Sequence, residues 1–287
     1  MIYNMRDVLQ VARKNQFAVP AFNISSLEML KAVIKKSEEL NAPVIIEIHP
    51  DELAYMGLEW MATIKEYAQG AKVPVVIHLD HGRTIDEVMK AVQAGFTSVM
   101  FDGSLMEYNQ NVIETQNVVQ LMKSLNISVE GELGTIGNTG NSAETSSSEI
   151  IYTNPIEAID FVEKTNIDSF AVAIGTAHGL YPKGKRPCLN IKLLEEISSK
   201  IKIPLVLHGG SGNTDEELKK AVLLGIAKIN ISSDIKSAFF NQMRIVLSNN
   251  GLYEPNQIYP SCMNKVKEVV EHKMNIFNTA GKAALYG

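Results

Sequence analysis

At 287 residues, 45% hydrophobic and 21% charged, the chain is long enough to bury one large core. A net charge of −5 argues against nucleic acid or an anionic membrane as its main partner. Its two cysteines, Cys188 and Cys262, stand far apart, in no metal-ligand spacing, and suit a reducing compartment.

The first stretch, MIYNMRDVLQVARKNQ, mixes charge into an amphipathic pattern unlike a signal peptide. No apolar run approaches the roughly 18 residues of a membrane span, so a soluble, cytoplasmic protein is expected. Short β-branched runs then follow at Phe17–Asn23, Pro43–Ile48, Pro74–Asp80 and Ser98–Asp102. Four more lie at Ser128–Glu132, Ser169–Ile174, Ile203–His208 and Ala227–Ile231. Each is nearly continuous in apolar residues, as parallel strands covered by helices are.

Helical patterns lie between these runs. Thr84 is placed to cap a helix that presents Ile85, Val88, Met89 and Val92 on one face and stops at Gly95. TDEELKKAVLLG repeats that design with Leu218, Ala221, Val222 and Gly225. PIEAIDFVEKT carries Pro155 in its first turn, where proline is tolerated. Eight strands alternating with helices predict an α/β fold, a (β/α)8 TIM barrel formed by residues 1–287 as one domain; the competing topology is an open doubly wound sheet. Residues 251–287 form a C-terminal helical extension, with its helix expected over Asn264–Phe277. The polar stretch 137–149, with almost nothing to bury, is expected to be a mobile active-site loop.

Polar residues recur where the strands end. They are Asp80 and His81, Asp102, Glu132, His178 after the sixth strand, His208 at the seventh, and Asn230 on the eighth. A barrel gathers these positions at one mouth, the face where such folds place active sites. Three histidines that leave a fourth position open are the usual catalytic zinc arrangement, and His81, His178 and His208 fit it. Of the rest, His78 is expected in the barrel interior beneath Asp80, His49 near the mouth, and His272 in solvent on the tail helix. HGGSGNT and NISSD each lead into a helix after strands seven and eight, where barrels commonly hold phosphate. Metal beside a phosphate cradle implies a phosphorylated substrate with a carbonyl or hydroxyl to polarise.

The stretches VIHLDHG, AGFTSVMFDGS, EGELGTIG, IYTNP, AVAIGTAHGLY, LVLHGGSG and KINISSD resemble, in order, those of the class II zinc-dependent ketose-bisphosphate aldolases. The likeness runs from Phe17 to the tail GKA. It implies reversible cleavage of fructose or tagatose 1,6-bisphosphate to dihydroxyacetone phosphate and glyceraldehyde 3-phosphate through a zinc-stabilised enediolate. By matching motif, His81, His178 and His208 become zinc ligands and Asp80 the acid/base at the C4 oxygen. Asp102 and Glu132 match a second metal site or zinc-holding carboxylates, with a second divalent or a monovalent cation as the further ion. Asn23, Gly179, Gly209, Gly210, Ser211, Asn230, Ile231, Ser232 and Ser233 match the substrate and phosphate contacts. A homodimer or homotetramer is the expected assembly.

Three departures from the family pattern stand out. Gly140 falls where the family's loop carries a glutamate, with Glu144 and Glu149 as candidate replacements. Asn256 falls where an arginine often grips the distal phosphate, leaving Lys183, Lys185 and Arg186 as alternative charges. Ser232 matches neither the aspartate or asparagine of fructose-type enzymes nor the alanine of tagatose-type ones. The alternatives are an aldolase of the same mechanism acting on a different phosphorylated ketose, a non-catalytic relative with an altered lid, and two other chemistries. An amidohydrolase barrel needs His-x-His at the end of strand one, where this chain has Phe22 and Asn23. A Schiff-base aldolase needs an interior lysine, for which Lys228 is the candidate.

Overall fold

Strands that are apolar on both faces need cover on both. A barrel supplies it, with one face filling the interior and the other lying under helices. The computed structural model of the chain describes residues 1–138, 150–179 and 188–287. The first half contains α1 (Met5–Lys14), β1 (Val19–Asn23), α2 (Leu27–Glu39), β2 (Val44–Ile48), α3 (Pro50–Met56) and α4 (Trp60–Gly70). It continues with β3 (Val75–Gly82), α5 (Ile85–Ala94), β4 (Ser98–Phe101), α6 (Tyr108–Lys123), β5 (Ser128–Leu133) and β6 (Gly137–Asn138). Next come α7 (Pro155–Thr165), β7 (Ser169–Val172), β8 (Ala177–His178), α8 (Ile191–Lys200) and β9 (Leu205–Leu207). The chain ends with α9 (Asp215–Leu223), β10 (Ile226–Ile231), α10 (Ser233–Val246), α11 (Pro255–Ile276) and a 3-10 turn over Lys282–Tyr286.

All eight predicted runs are strands. They close in the order β1-β2-β3-β4-β5-β7-β9-β10, with β10 pairing parallel to β1, which makes the fold a (β/α)8 barrel and excludes the open sheet. The short β6 and β8 form a separate parallel pair, Gly137 with Ala177 and Asn138 with His178. Helix α1 lies across the end where the strands begin. Its Met5, Val8, Leu9 and Ala12 are fully buried against Val19, Ala21, Ile45 and Val76, giving the barrel an apolar floor.

Side chains two apart on a strand share a face, so the inward residues rise in layers. On β3 these are Val76, His78 and Asp80; on β5, Ser128, Glu130 and Glu132; on β10, Lys228 and Asn230. All are buried.

The helix caps follow the sequence, since Thr84 and Thr214 each close a capping box and Gly95 ends α5 in a left-handed conformation at φ 94°. Ile85 departs from its expected place and is exposed at 36%; the buried face of α5 is Val88 and Ala91. The tail helix starts at Pro255 rather than Asn264 and runs through Pro260. It packs on α10 and α2 through Cys262, Val266, Val270 and Met274. Of the expected loop 137–149, Gly137 and Asn138 are described; Gly140, Glu144 and Glu149 lie outside the described residues, as do Lys183, Lys185 and Arg186. Among the described residues no helix is long and apolar enough to cross a membrane.

Candidate active site

Asp80 and His81 are neighbours in sequence, so a regular strand would send them to opposite faces. It does not, because the register of β3 against β4 shifts between Leu79 and Gly82, and His81 adopts a left-handed backbone at φ 51°. Such a bulge re-aims one side chain at a cost of order 1–3 kcal/mol in backbone strain. Gly82 is required beside it, since a Cβ there would stand 2.8 Å from Leu79 Cδ2 and 2.9 Å from the Met100 carbonyl oxygen.

The turned His81 meets His178 and His208, with ring centroids 5.1 Å and 4.7 Å away. One nitrogen from each of the three rings lies within 4.8 Å of the others, and all three residues are buried. His81 Nδ1 is 2.8 Å from Asp102 Oδ2, and His208 Nε2 is 2.8 Å from Glu130 Oε1. Both carboxyls are held below the usual carboxylate range. Burial opposes this, but His81 and Ser104 hold Asp102 ionised, as Lys228 and His208 hold Glu130. A carboxylate only accepts, so these two ring nitrogens carry hydrogens. The opposite nitrogens, His81 Nε2 and His208 Nδ1, then point their lone pairs at each other across 3.0 Å. A proton or a cation must lie between them. Two imidazoles oriented by carboxylates, with a third ring beside them, make a donor set that fits a divalent metal.

Asp80 adjoins this centre, its Oδ1 3.8 Å from His81 Nε2 and 4.0 Å from His208 Nδ1. Asn23 donates to its Oδ2 at 2.7 Å and Asn230 to its Oδ1 at 3.2 Å. Burial would raise its pKa, but the charge shared between His81 and His208, together with Lys228, holds it well below the carboxylate range. Asp80 is therefore an oriented carboxylate, ionised at neutral pH.

A small cleft opens above it, lined by Asn23, Asp80, His178, Gly179, Gly209, Ser211, Asn230, Ser232 and Ser233, each of them a sequence candidate. Gly210 N–H donates to the Asn230 carbonyl at 3.0 Å, and Ser211 Oγ accepts from Asp234 N–H at 3.3 Å, which ties the two glycine and serine turns together at the head of α10. Gly209 has φ 64°, and a Cβ there would stand 2.9 Å from the Ala177 carbonyl oxygen. Ile231 departs from the rest, as its side chain is wholly in the core and only its backbone can reach a ligand. Larger clefts of about 520 and 790 Å³ lie on the helical periphery. The ion pairs Arg6–Asp168, Lys273–Asp234 and His272–Asp215 satisfy much of their charge, and their chemistry is poorer than that of the small one.

Asp102 engages both oxygens in orienting roles, Oδ2 at His81 and Oδ1 accepting from Ser104 N and Oγ. Glu132 is 1% exposed, neither of its oxygens has a hydrogen-bond partner among the described residues, and burial pushes its pKa up. His49 is buried at the head of α3 with its ring centroid 6.3 Å from that of His81. His272 is exposed on α11 but meets Asp215 at 3.0 Å.

Beneath the site lies a layer that sequence reading caught only in part. His78 is interior, its Nδ1 2.8 Å from Ser98 Oγ, and Lys228 is interior and fully buried. Glu47 and Glu130 escaped notice, and they stand 2.7 Å and 2.9 Å from Lys228 Nζ. Burial opposes the charge on Lys228, but Glu130 and Glu47 raise its pKa, while burial pushes that of Glu47 up. A protonated amine has no lone pair, so Lys228 is unfit for Schiff-base formation. The available signal was period two, because Glu130 and Glu47 share faces with Glu132 and with the buried Ile45.

A family model described as "Fructose-bisphosphate aldolase class-II" matches residues 3–282. A fructose-bisphosphate aldolase of Thermus caldophilus is 35% identical over 99% of this chain and 100% of its own. One from Staphylococcus aureus (strain COL) is 38% identical over 98% and 99%. Among solved structures, the YdjI aldolase of Escherichia coli superposes with a TM-score of 0.85 at 32% identity, covering 99% of this chain and 100% of that one. A structure described as a putative fructose-1,6-biphosphate aldolase from Coccidioides immitis gives 0.89 at 28%, covering 97% of each.

Proposed function

The chain belongs to the class II fructose-bisphosphate aldolase family, and on that premise we propose that it reversibly cleaves fructose or tagatose 1,6-bisphosphate to dihydroxyacetone phosphate and glyceraldehyde 3-phosphate. One observation carries the reading: two carboxylate-locked imidazoles turn their lone pairs to each other at 3.0 Å beside an ionised Asp80. A zinc ion bound by His81, His178 and His208 would supply Lewis acidity to the substrate carbonyl oxygen.

The chain's own groups supply the rest. Asp80, fixed between Asn23 and Asn230, takes the proton of the C4 hydroxyl during cleavage and returns it during condensation. The backbone N–H groups of Gly209 and Ser211, with Ser232 and Ser233 at the head of α10, hold the phosphate of the three-carbon ketone half, while Gly210, its N–H bonded to the Asn230 carbonyl, braces the turn that presents them. Gly179 borders the same cleft. Ile231 contributes its backbone to this cradle. Glu132, beside Asp102 and His81, supports a further divalent or monovalent cation. The same reading carries a cytoplasmic homodimer or homotetramer, with exposed Phe240, Ile245 and Leu247 as apolar surface to cover.

Triose phosphate release from each of the two bisphosphates, assayed with EDTA and after zinc is restored, tests this. Cleavage of at least one sugar is expected, lost on chelation and recovered with zinc; cleavage that persists in EDTA overturns the reading. Asp80→Asn is expected to retain stoichiometric zinc while kcat falls by about 10²–10⁴. Unchanged turnover removes Asp80 from its role.

A further inference from the structure

We infer that Lys228 is a positioning residue for the three-histidine centre, acting through Glu130 to fix the orientation of His208 and thereby the affinity for metal. The inference rests on the reading of that centre as a metal site.

Lys228 projects from β10 across the barrel to β5, two strands beyond its neighbour β9. Glu130 divides its oxygens between two partners: Oε2 meets Lys228 Nζ at 2.9 Å, and Oε1 meets His208 Nε2 at 2.8 Å. His208 Nδ1 then lies 3.0 Å from His81 Nε2. The chain of contacts runs from the ammonium to the space between the two lone pairs. Among the described residues no hydrogen bond joins Lys228 to a histidine directly, so Glu130 is its route.

Stability gives no reason for this arrangement. Lys228, Glu130, Glu47 and His78 have no solvent exposure. Burying an ion costs several kcal/mol, and apolar residues of similar volume commonly do as well or better. Immediately below, Ile45 and Val76 show the barrel filled in that cheaper way. A ligating imidazole, by contrast, needs a carboxylate on its far nitrogen to hold its ring and tautomer, and loss of such a partner weakens metal binding by roughly 10- to 100-fold. Glu130 has that position on His208. Lys228 is the cation that keeps the carboxylate in place at full burial.

Glu47 provides an internal control. It touches Lys228 at 2.7 Å, but no hydrogen bond takes it to His208. Glu47→Gln therefore disturbs the same buried layer without breaking the route.

Cobalt(II) binding to the metal-free full-length chain, measured at one pH by competition with a chromogenic chelator, tests the assignment. Lys228→Met and Glu130→Gln should each weaken binding roughly 10- to 100-fold. The double variant should be no weaker than Glu130→Gln alone, because both changes cut one route. Glu47→Gln should bind within about twofold of the unsubstituted chain. At saturation, Lys228→Met should keep the visible cobalt spectrum, since the ligands themselves are unchanged. Losses that multiply in the double variant, or an equal loss in Glu47→Gln, overturn the assignment, as does unaltered affinity in Lys228→Met. Failure of the unsubstituted chain to bind cobalt overturns the metal reading, and this inference with it.

Discussion

At the scale of single residues, the site is a set of groups whose protonation is fixed by burial and neighbours. His78 illustrates this in the layer beneath the three histidines. Burial, aided by the charge of Lys228, pushes its pKa down to about 3, so the folded protein keeps it neutral. The unfolded chain titrates it near 6.5. Between those values the unfolded state binds the extra proton, so the stability present above pH 6.5 is lost as pH falls. For this one group the loss between pH 7 and 5.5 is about 1.3 kcal/mol. His78→Asn keeps a polar atom toward Ser98 but cannot titrate. Urea unfolding of the metal-free forms at the two pH values should show the unsubstituted protein losing about 1.3 kcal/mol more than the variant. Equal losses would mean that His78 titrates in the folded protein as it does in the unfolded chain.

At the scale of elements, the strands were legible because β-branched runs bounded by proline and glycine leave little freedom, and the boundaries held within two residues. What periodicity could not reveal was the bulge at Asp80–His81. Strict alternation would have turned one of those side chains out under the helices, and only the pairing of β3 with β4 shows otherwise. Period two could turn Glu47 and Glu130 inward, but their pairing was hidden, because their partner Lys228 is distant in sequence. The site residues at strand ends were legible because the barrel topology alone brings them together. The tail helix starts nine residues earlier than expected and includes Pro260, a residue that ordinarily breaks a helix. In α11 it sits past the first turn, exposed, where it removes one backbone donor. Helix-interior proline costs about 3 kcal/mol relative to alanine, and partial relaxation around an exposed site reduces that figure. Pro260→Ala should therefore raise stability by about 1–3 kcal/mol, read as a higher Tm. A lower Tm would show that the proline bends α11 onto α2 to advantage.

At the scale of the molecule, the barrel divides its labour by end. The floor, where α1 seals Val19, Ile45 and Val76, is apolar and holds the strands together. The opposite end concentrates the expensive polar groups, and no single element holds a complete site. His81 ends β3, His178 is on β8 and His208 follows β9, with His81 and His208 separated by 127 residues. The donor set therefore exists only once the barrel has closed, so a metal held by it would bind the native state far better than the unfolded chain. Native-only binding stabilises by RT ln(1 + [L]/Kd), about 2.7 kcal/mol at a free metal concentration a hundredfold above Kd. With Tm moving by roughly 2–4 °C per kcal/mol in proteins approaching this size, zinc at that excess should raise Tm by roughly 5–10 °C over the EDTA-treated protein. His178→Ala removes one donor and leaves the carboxylate-locked pair in place. Its zinc-dependent increment should collapse to a small fraction, whatever its metal-free Tm. Differential scanning fluorimetry across a zinc titration measures both, and a Tm indifferent to zinc in the unsubstituted chain would separate the three histidines from metal binding altogether.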